Sequence, residues 1–373
     1  MTPRVVLGMP GLHRSGARAR TLPTDRPADP RLIDRLGRVA TDLRVSLTDR
    51  CNLRCAYCMP PEGLDWMPEA HLLSDDELIR LIAVAVQRLG VEQVRFTGGE
   101  PLLRKGLEKI LAATTALRTA SGRVPQTALT TNGLGLDRRV AGLKAAGLHR
   151  INVSLDSLDR ARFATITHRD RQLDVLAGLR AAADAGVTPV KVNAVLLRGV
   201  NDDEAVPLLR WALDHGYQLR FIEQMPLDPH GAWDRAQMVT ATEILARLEE
   251  QFTLTPTHPA LRGAAPAETW LVDGGGLDGT ATVGIIASVT RPFCGDCDRT
   301  RLTADGQVRD CLFAHGESDL RGLLRSGADD EALADAWRGA MWAKRAGHGI
   351  DDPGVIDDPD FAHPDRPMSA IGG

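Results

Sequence analysis

The sequence predicts an α/β fold in which six parallel strands form a partial (βα)6 TIM-like barrel. From residue 42 onward, six strand-like runs alternate with helix-like runs, and a succession of βα units builds a parallel sheet. Of the 373 residues, 43% are hydrophobic and 4% are aromatic, which is ample for a large aliphatic core. The predicted strands are 43–47, 91–96, 127–129, 150–155, 190–196 and 218–222.

Boundary signals mark the helices between these strands. Ser74 and Glu77 form a capping box before the apolar residues 78–89, and Gly90 is placed to end that helix. Residues 201–204 are expected to open a later helix in the same way. The regular alternation stops after Pro226, and a further apolar strand is predicted at 283–287.

Four segments are expected along the chain. Residues 1–40 contain eight arginines among prolines and glycines, a composition that predicts a flexible extension without a catalytic role. The barrel is assigned to residues 41–235 and a smaller C-terminal domain to residues 236–346. Residues 347–373 are predicted to be a loosely ordered tail, because six aspartates and four prolines fall between residues 347 and 367.

Charge and hydropathy exclude two classes of partner. Lys and Arg number 45 and Asp and Glu number 49, a formal net charge of −4, so no overall positive field exists to hold nucleic acid or an anionic membrane. No apolar run approaches the roughly 18 residues of a membrane helix, and the Arg-rich start lacks the apolar segment of a signal peptide. We therefore expect a cytoplasmic protein that binds anions in a local pocket.

One face of several predicted strands is polar and cationic. With a period of two, Leu43 and Val45 share one face of the first strand and the residues between them share the other. On four strands this alternation places a cation on the polar face: Arg44, Arg95, Lys191 and Arg220. Unpaired buried charges are costly, so we interpret this face as the wall of an anion-filled cavity suited to a nucleoside triphosphate. Strand ends that reach solvent are the alternative.

The six cysteines fall in two groups. The first group, Cys51, Cys55 and Cys58, has C-x3-C-x2-C spacing in the loop after the first predicted strand. Three cysteines cannot all pair with one another, so metal ligation is favoured over disulfides. Three thiolates on a short loop can hold three irons of a [4Fe–4S] cluster and leave the fourth iron open. A structural zinc site completed by His71 is the alternative.

The second group comprises Cys294, Cys297 and Cys311. It also offers three thiolates for a cluster, although a zinc site completed by His315 is a stronger competitor here. Arg299 and Arg301 lie two residues apart and share one face if the segment is extended. We interpret the cysteines and the two guanidinium groups as a second ligand-binding surface.

The first cysteine loop resembles the signature of the radical S-adenosylmethionine (SAM) superfamily. Tyr57 precedes its last cysteine, and Gly98-Gly99-Glu100-Pro101 follows the second predicted strand. In that superfamily the Gly-Gly-Glu-Pro segment holds the amino group of SAM through its backbone and its carboxylate. The resemblance implies that the first cluster chelates SAM within a radical SAM barrel.

From about residue 42 to its end, the chain resembles the molybdenum cofactor biosynthesis protein A family of GTP 3',8-cyclases. The resemblance rests on residues 294–302, on the terminal Gly372-Gly373, and on residues 94–101, 130–133, 152–156, 191–193 and 219–223. Two departures are small: Asp298 stands where the family usually has Asn, and Gln93 stands where some members have a basic residue.

The resemblance implies an activity and the residues that carry it. Members of the family convert GTP to (8S)-3',8-cyclo-7,8-dihydroguanosine 5'-triphosphate, the first step of molybdenum cofactor biosynthesis, with SAM and two [4Fe–4S] clusters. The implied cluster ligands are Cys51, Cys55, Cys58, Cys294, Cys297 and Cys311. The implied SAM-binding residues are Tyr57, Gly99, Glu100, Ser154 and Met225. The implied GTP-binding residues are Arg44, Arg95, Thr130, Lys191, Arg220, Arg299, Thr300 through its backbone, and Arg301. Gly372 and Gly373 are expected to enter the active site and to act there with Arg299 and Arg301.

The implied partners are GTP, an electron donor such as flavodoxin or ferredoxin, and cyclic pyranopterin monophosphate synthase downstream; a homodimer is compatible with the resemblance. Two other functions stay open at this point. One is a radical SAM enzyme that modifies a peptide, although a peptide would not need five convergent basic groups. The other is a non-catalytic metal-binding protein with two zinc sites.

Overall fold

A parallel sheet whose strands follow the chain order forms the centre of the molecule. The computed structural model describes residues 25–228, 233–276, 281–314, 316–349 and 366–372. The six central strands are β1 (Asp42–Ser46), β2 (Gln93–Thr97), β3 (Gln126–Thr131), β4 (Arg150–Ser154), β5 (Val190–Val195) and β6 (Gln218–Ile222). Each pairs in parallel with the next. All six strands predicted from the sequence are confirmed, with every end within two residues of its expected position.

The C-terminal part of the chain extends this sheet at both edges. Beside β6 lie β9 (Thr282–Ile286), β8 (Glu268–Val272) and β7 (Leu254–Pro256), and beside β1 lie β10 (Arg299–Leu302), β11 (Gln307–Arg309) and β12 (Ser318–Asp319). The pairings of β9 with β6 and of β10 with β1 are parallel, and the outer pairings are antiparallel. The predicted C-terminal domain therefore shares the sheet of the barrel, and its starting residue stays a prediction.

Helices follow the central strands, as expected for βα units. The described helices are α1 (Asp75–Arg88), α2 (Leu107–Ala116), α3 (Leu136–Ala145), α4 (Arg160–Thr167), α5 (Gln172–Asp184), α6 (Ala205–Asp214), α7 (Ala241–Glu249), α8 (Leu320–Arg325), α9 (Asp330–Trp342) and α10 (Met368–Ile371). The capping box of Ser74 and Glu77 is confirmed at the start of α1. Gly90 follows the end of α1 with a φ of 79°, the left-handed conformation that glycine adopts readily.

The predicted capping role of Asn201 is wrong. Residues Asp202–Glu204 form a short 3-10 helix before α6, and the Asn201 side chain makes no capping hydrogen bond there. It instead accepts a hydrogen bond from the backbone N–H of Leu197 (2.7 Å) and donates to the carbonyl of Asp156 (2.6 Å). Asn201 therefore ties the loop after β5 to the loop after β4, because a polar side chain buried between two loops must satisfy their backbone groups.

The aliphatic core lies between the sheet and the helices. On β1 and β2, Leu43, Val45, Val94 and Phe96 are fully buried against the helical layer, as the period of two requires. The opposite face of these strands lines the lumen of the barrel. Among the described residues, no helix combines the length and the apolar character needed to cross a membrane.

The prediction of a flexible extension through residue 40 is wrong for its described part. Leu32 is fully buried, and Ile33 forms an isolated β-bridge with Val39. Asp34 and Arg38 form a buried ion pair at 2.5 Å. Because its carboxylate partner holds it in place, the Arg38 guanidinium can reach across to the second cysteine group. Residues 1–24 lie outside the described part of the chain.

Candidate active site

A row of arginines crosses the lumen on three neighbouring strands. Strand register places Arg44 of β1 directly opposite Arg95 of β2 on one side and opposite Arg301 of β10 on the other. Arg299 and Arg301 are buried, and both lie on the extended strand β10, as their spacing predicted. Side chains at the same register position of adjacent strands point to the same face. Because Arg44 and Arg95 also line one cavity, the inward orientation predicted for them is confirmed.

These guanidinium groups have few carboxylate partners. Arg95 donates to Asp42 (2.7 Å), and Arg299 lies 3.7 Å from Asp298. The Nε of Arg44 is buried and makes no hydrogen bond within the described chain. Burial and the positive charges of Arg301 and Arg299 hold the pKa of Arg44 well below its usual value. A cluster of this kind favours an anionic ligand, which would restore hydrogen bonds and offset the mutual repulsion.

Asp298, the departure from the family pattern, lies at the edge of this row. Its carboxylate is mostly buried, and burial together with the charge of Asp42 raises its pKa. Its backbone carbonyl accepts hydrogen bonds from Thr41 and Asp42 (2.9 and 3.0 Å). Asp298 therefore connects the entry of β1 to the second cysteine group.

Two further predicted cations lie on β5 and β6. Neutral amides hold Arg220, which donates to Asn193 (3.0 Å) and to Asn152 (2.8 Å). Lys191 is partly buried, and burial followed by the charge of Arg220 lowers its pKa to about 8. Neutral partners leave the positive charge of Arg220 available to a ligand.

Arg150 is a lumen cation that the sequence analysis missed. It begins β4, and because it lies two residues before Asn152, it shares that residue's face of the strand. Its Nη2 donates to Gln93 (2.8 Å), while its Nε is buried without a hydrogen bond in the described chain. The predicted strand 150–155 begins at Arg150, so applying the period of two to its first residue reveals this cation as well.

One cavity brings the cations together with the second cysteine group. Its walls include Arg44, Arg95, Thr130, Arg220, Met225, Cys294, Cys297, Arg299, Arg301 and Cys311. Within the described part of the chain, the first cysteine group, Tyr57, Gly99, Glu100, Ser154 and Lys191 are not in its walls. Thr300 points the other way, and its hydroxyl accepts a hydrogen bond from Trp337 of α9 (2.9 Å). The backbone contact of Thr300 with GTP that the resemblance implies stays a prediction.

The first cysteine loop leaves β1 and lies against α4. The backbone N–H groups of Arg54 and Ala56 donate to the carbonyls of Thr167 and Ile166, both at 2.9 Å. Cys51 and Cys55 pack against the hydrophobic core. Burial raises the pKa of Cys51 and Cys55, and raises that of Cys58 to about 12. The thiols therefore stay protonated on their own and become thiolates when a metal binds them.

The Gly-Gly-Glu-Pro segment docks onto this loop through its backbone. Gly99 donates to the carbonyl of Thr48 and Glu100 to that of Arg50, both at 2.7 Å. A Cβ atom on Gly99 would lie 2.3 Å from the carbonyl oxygen of Arg50. Only glycine permits so close an approach, which explains the residue at this position.

The Glu100 carboxylate, which the resemblance assigns to SAM, is held by the loop after β3, and its contact with SAM stays a prediction. The side chain is fully buried, and its oxygens accept hydrogen bonds from Leu102 N (2.9 Å), Thr131 Oγ1 (2.7 Å) and Asn132 N (2.7 Å). Burial raises its pKa to about 7. Glu100 therefore fixes the end of β3 beside the cysteine loop, where Asn132 donates to Asn52 (2.7 Å).

The other residues predicted for SAM lie near the first cysteine loop or at the cavity. The Tyr57 hydroxyl donates to Asp156 (2.8 Å), which also accepts from the N–H of Val195 (2.9 Å). Ser154 ends β4, the strand that leads to Asp156. Met225 packs on a small apolar cluster that contains Trp233, Met238 and Val289.

The second cysteine group is surrounded by N–H donors. Lys344 Nζ lies 3.2 Å from the Cys297 thiol and donates to the carbonyl of Arg299 (2.9 Å). Burial alone would raise the pKa of Cys297, but the charges of Lys344 and Arg299 outweigh it and lower this pKa. Arg38 donates to the carbonyl of Cys294 (2.6 Å), which holds the loop from outside. His315, the alternative zinc ligand, lies outside the described residues.

The C-terminal segment reaches the first cysteine group and the arginine row. The backbone N–H of Ser369 in α10 hydrogen-bonds the Cys58 thiol, and Arg301 donates to the carbonyl of Gly372. Gly372 is buried beside Ser46 and Thr97. Gly372 thus lies beside Thr97 and Arg301, two residues of the cavity wall, and its role in the active site stays a prediction. Gly373 lies outside the described residues.

The thiols have the surroundings of metal ligands. Among the described residues, no three Cys, His, Asp or Glu side chains are gathered tightly enough to ligate a single metal ion. N–H groups of Asn132, Ser369, Lys344 and His348 nevertheless point to four of the six thiols. Such donors stabilise the thiolate ligands of an iron–sulfur cluster. The residues present therefore fit two such clusters.

Comparison with known proteins settles the family. Residues 45–212 match the radical SAM superfamily, and residues 217–350 match the family described as Molybdenum Cofactor Synthesis C. The chain is 62% identical over 367 residues to the GTP 3',8-cyclase of Mycobacterium sp. (strain KMS), covering 98% of this chain and 99% of that protein. The chain belongs to the GTP 3',8-cyclase family. It is also 62% identical over 342 residues to the GTP 3',8-cyclase of Streptomyces coelicolor (strain ATCC BAA-471 / A3(2) / M145), covering 92% and 96%.

Solved radical SAM structures share the fold of this GTP 3',8-cyclase family member. Native anSMEcpe with bound AdoMet has a TM-score of 0.55 at 14% identity, covering 83% of this chain and 82% of that one. Streptococcus suis SuiB bound to precursor peptide SuiA has a TM-score of 0.54 at 12% identity, covering 88% and 75%. At such identities the similarity concerns the fold alone. Family membership makes the chain a radical SAM enzyme that uses SAM and two [4Fe–4S] clusters, which disfavours the peptide-modifying and zinc-protein alternatives.

Proposed function

We propose that this chain converts GTP to (8S)-3',8-cyclo-7,8-dihydroguanosine 5'-triphosphate in the lumen of the barrel. The observation that carries the proposal is the single cavity in which the arginine row meets the second cysteine group. A nucleoside triphosphate has a strongly anionic end and a heteroaromatic end, and this cavity has a counterpart for each. Few other small molecules need both.

The triphosphate would lie against the strand cations. Arg44, Arg95 and Arg220 line the cavity, with Lys191 beside Arg220, and Thr130 is held in place by Asn152 (3.1 Å). A charge-assisted hydrogen bond contributes about 1.5 to 3 kcal/mol, so these groups would dominate ground-state binding. Guanosine should therefore bind far more weakly than GTP, and equal affinities by calorimetry would place the cations outside the nucleotide site.

The guanine end would lie toward the second cysteine group. Cys294, Cys297 and Cys311 would hold one cluster there, and Cys51, Cys55 and Cys58 would hold the other beside the SAM site. When bound, the cluster with SAM would supply hydrogen-atom removal from the ribose, and the second cluster would supply a Lewis-acidic iron for the base. The SAM site would comprise Tyr57, the Gly99 backbone, Ser154 and Met225.

The contribution of the chain is to hold both ends of GTP in one geometry. Cyclisation needs C3' of the ribose to meet C8 of the same nucleotide's guanine, so holding the base and the ribose in a reactive geometry lowers the barrier. Arg299 and Arg301 are buried on β10 between the phosphate-binding cations and the cysteines. Together with Gly372 they would close the lumen around the ribose and exclude water.

The remaining partners follow from the balance of the reaction. GTP loses a hydrogen atom at C3' and gains one electron and one proton at the imidazole ring, so the product is an isomer of GTP. We assign the supply of electrons to a small redox protein such as flavodoxin or ferredoxin. We assign consumption of the product to cyclic pyranopterin monophosphate synthase, in the cytoplasm.

The direct test is product formation by the reconstituted enzyme. The protein is purified anaerobically, loaded with iron and sulfide, and incubated with GTP, SAM and dithionite. We expect an isomer of GTP whose NMR spectrum shows that C3' is bonded to C8. Cleavage of SAM with GTP recovered unchanged, under conditions that keep both clusters intact, would contradict the proposal.

A further inference from the structure

The C-terminal segment is fixed at its start as well as at its end. Gly372 contacts Arg301 in the lumen, and six residues earlier Arg366 lies against the end of the sheet formed by β10, β11 and β12. Only about one fifth of the Arg366 side chain is exposed. The described segment 366–372 is therefore held between two contacts rather than by its terminus alone.

The Arg366 guanidinium binds two carboxylates. It makes a bidentate pair with Asp305 (both distances 2.8 Å) and a further bond to Glu317 (2.7 Å). Glu317 is almost fully buried and also pairs with the fully buried Arg309 (2.6 Å). Thr303 donates a hydrogen bond to Asp305 (2.6 Å). Two positive and two negative charges thus balance within one buried network.

The same network holds the loop that carries Cys311. Arg309 ends β11, and its second Nη donates to the carbonyl of Ala314. Cys311 lies between these two residues, and Ala314 donates in turn to the carbonyl of Cys311 (3.4 Å). The position of the C-terminal segment and the position of a cysteine in the nucleotide cavity therefore depend on shared ion pairs.

We propose that Arg366 is a positioning residue that sets the reach of the C-terminal segment, so that Gly372 meets Arg301 in the lumen. The proposal rests on the proposed function for its catalytic consequence. A guanidinium suits the task because its rigid fork can satisfy two carboxylates at fixed angles. Lysine would keep the charge but lose the fork.

The test uses the full-length, cluster-loaded enzyme. Arg366→Met alone would leave Asp305 and Glu317 with one positive partner, and an uncompensated buried charge can prevent folding. The principal variant is therefore Arg366→Met combined with Asp305→Asn, which keeps the network neutral. Arg366→Lys is the conservative variant. Arg247→Met is the matched control, since Arg247 pairs with Asp202 (2.8 Å) between α7 and the segment after β5.

Two readouts are needed, hydrogen exchange of residues 366–372 and steady-state cyclisation of GTP. In the double variant we expect at least tenfold faster exchange in this segment and at least tenfold lower kcat, with the KM for GTP changed less than threefold and iron content unchanged. Arg366→Lys should recover part of both losses, and Arg247→Met should match the wild type in both. Unchanged exchange in the double variant, or faster exchange with unchanged kcat, would overturn the proposal. A wild-type enzyme that forms no cyclised product would instead contradict the proposed function.

Discussion

Replacing Gly372 by alanine should withdraw the end of the chain from the lumen without unfolding the protein. In the structure Gly372 has a φ of 80° and lies against Ser46 and Thr97. A Cβ atom there would be 2.5 Å from Ser46 Oγ and 2.7 Å from Thr97 Cγ2. Both distances are shorter than van der Waals contact, so alanine can occupy the docked position only if Ser46 and Thr97 shift.

The expected size of the effect follows from two contributions. A non-glycine residue in a sparsely populated backbone conformation costs about 1 to 3 kcal/mol, and the steric overlap adds to this cost. We take about 2 kcal/mol for the two contributions together, toward the low end of their combined range. This cost lowers the equilibrium constant for docking of the C-terminal segment about 30-fold, since about 1.4 kcal/mol corresponds to a factor of ten. Turnover should fall by up to the same factor, while SAM binding and both clusters are retained.

The assay is GTP turnover at saturating GTP and SAM, with iron content measured in parallel. Gly327→Ala is the matched control, because Gly327 has a φ of 88° and open space around its Cβ position. Adding Ser46→Ala to Gly372→Ala removes the shortest contact and should restore part of the turnover. Full turnover by Gly372→Ala would refute the docked position, as would equal losses in Gly372→Ala and Gly327→Ala.

Three other perturbations test separate parts of the site. Cys58→Ser should abolish reductive SAM cleavage. Cys297→Ser should retain SAM cleavage with a strong reductant but form no cyclised nucleotide. Loss of all SAM cleavage in Cys297→Ser, with the first cluster intact, would contradict separate roles for the two clusters. Burial and neighbouring cations lower the pKa of Lys191 to about 8, so its charge is lost above that pH and GTP affinity by calorimetry should decline from pH 8 upward. The decline should vanish in Lys191→Arg, and a flat wild-type profile would contradict it. Arg38→Met removes hydrogen bonds to the backbone around Cys294 and should speed iron loss to a chelator from the second cluster alone. The control Arg35→Met, which removes an exposed ion pair with Asp25, should not change this rate. Equal rates of iron loss in both variants would contradict the view that Arg38 holds the loop of the second cluster.

The lumen could be predicted because strand geometry is local. A period of two fixes which side chains share a face, so Arg44 and Arg95 were assigned inward before any pairing was known. Register between strands is not local. That Arg301 lies beside Arg44 depends on β10 returning to pair with β1, and no pattern within either segment shows that pairing.

Three side chains have partners that the sequence does not indicate, and the cause is the same. The loop after β3 returns to the Glu100 carboxylate, whose contact with SAM stays a prediction. Asn201 has the sequence position of a helix cap, but its side-chain amide donates to the backbone carbonyls of Asp156 and Val195. Arg38 lies in a segment whose composition is typical of disorder, yet Asp34 and the backbone at Cys294 hold it. A buried polar group takes partners that are distant in sequence, and composition does not reveal them.

The most direct test of the central claim is the fate of the hydrogen atom at C3' of GTP. The cluster-loaded enzyme is given SAM, dithionite and GTP deuterated at C3', and the deuterium content of the 5'-deoxyadenosine formed is measured by mass spectrometry. A lumen that holds the ribose of GTP beside SAM predicts one deuterium in each 5'-deoxyadenosine and one cyclised nucleotide for each molecule formed. Unlabelled 5'-deoxyadenosine together with unchanged GTP would contradict the account.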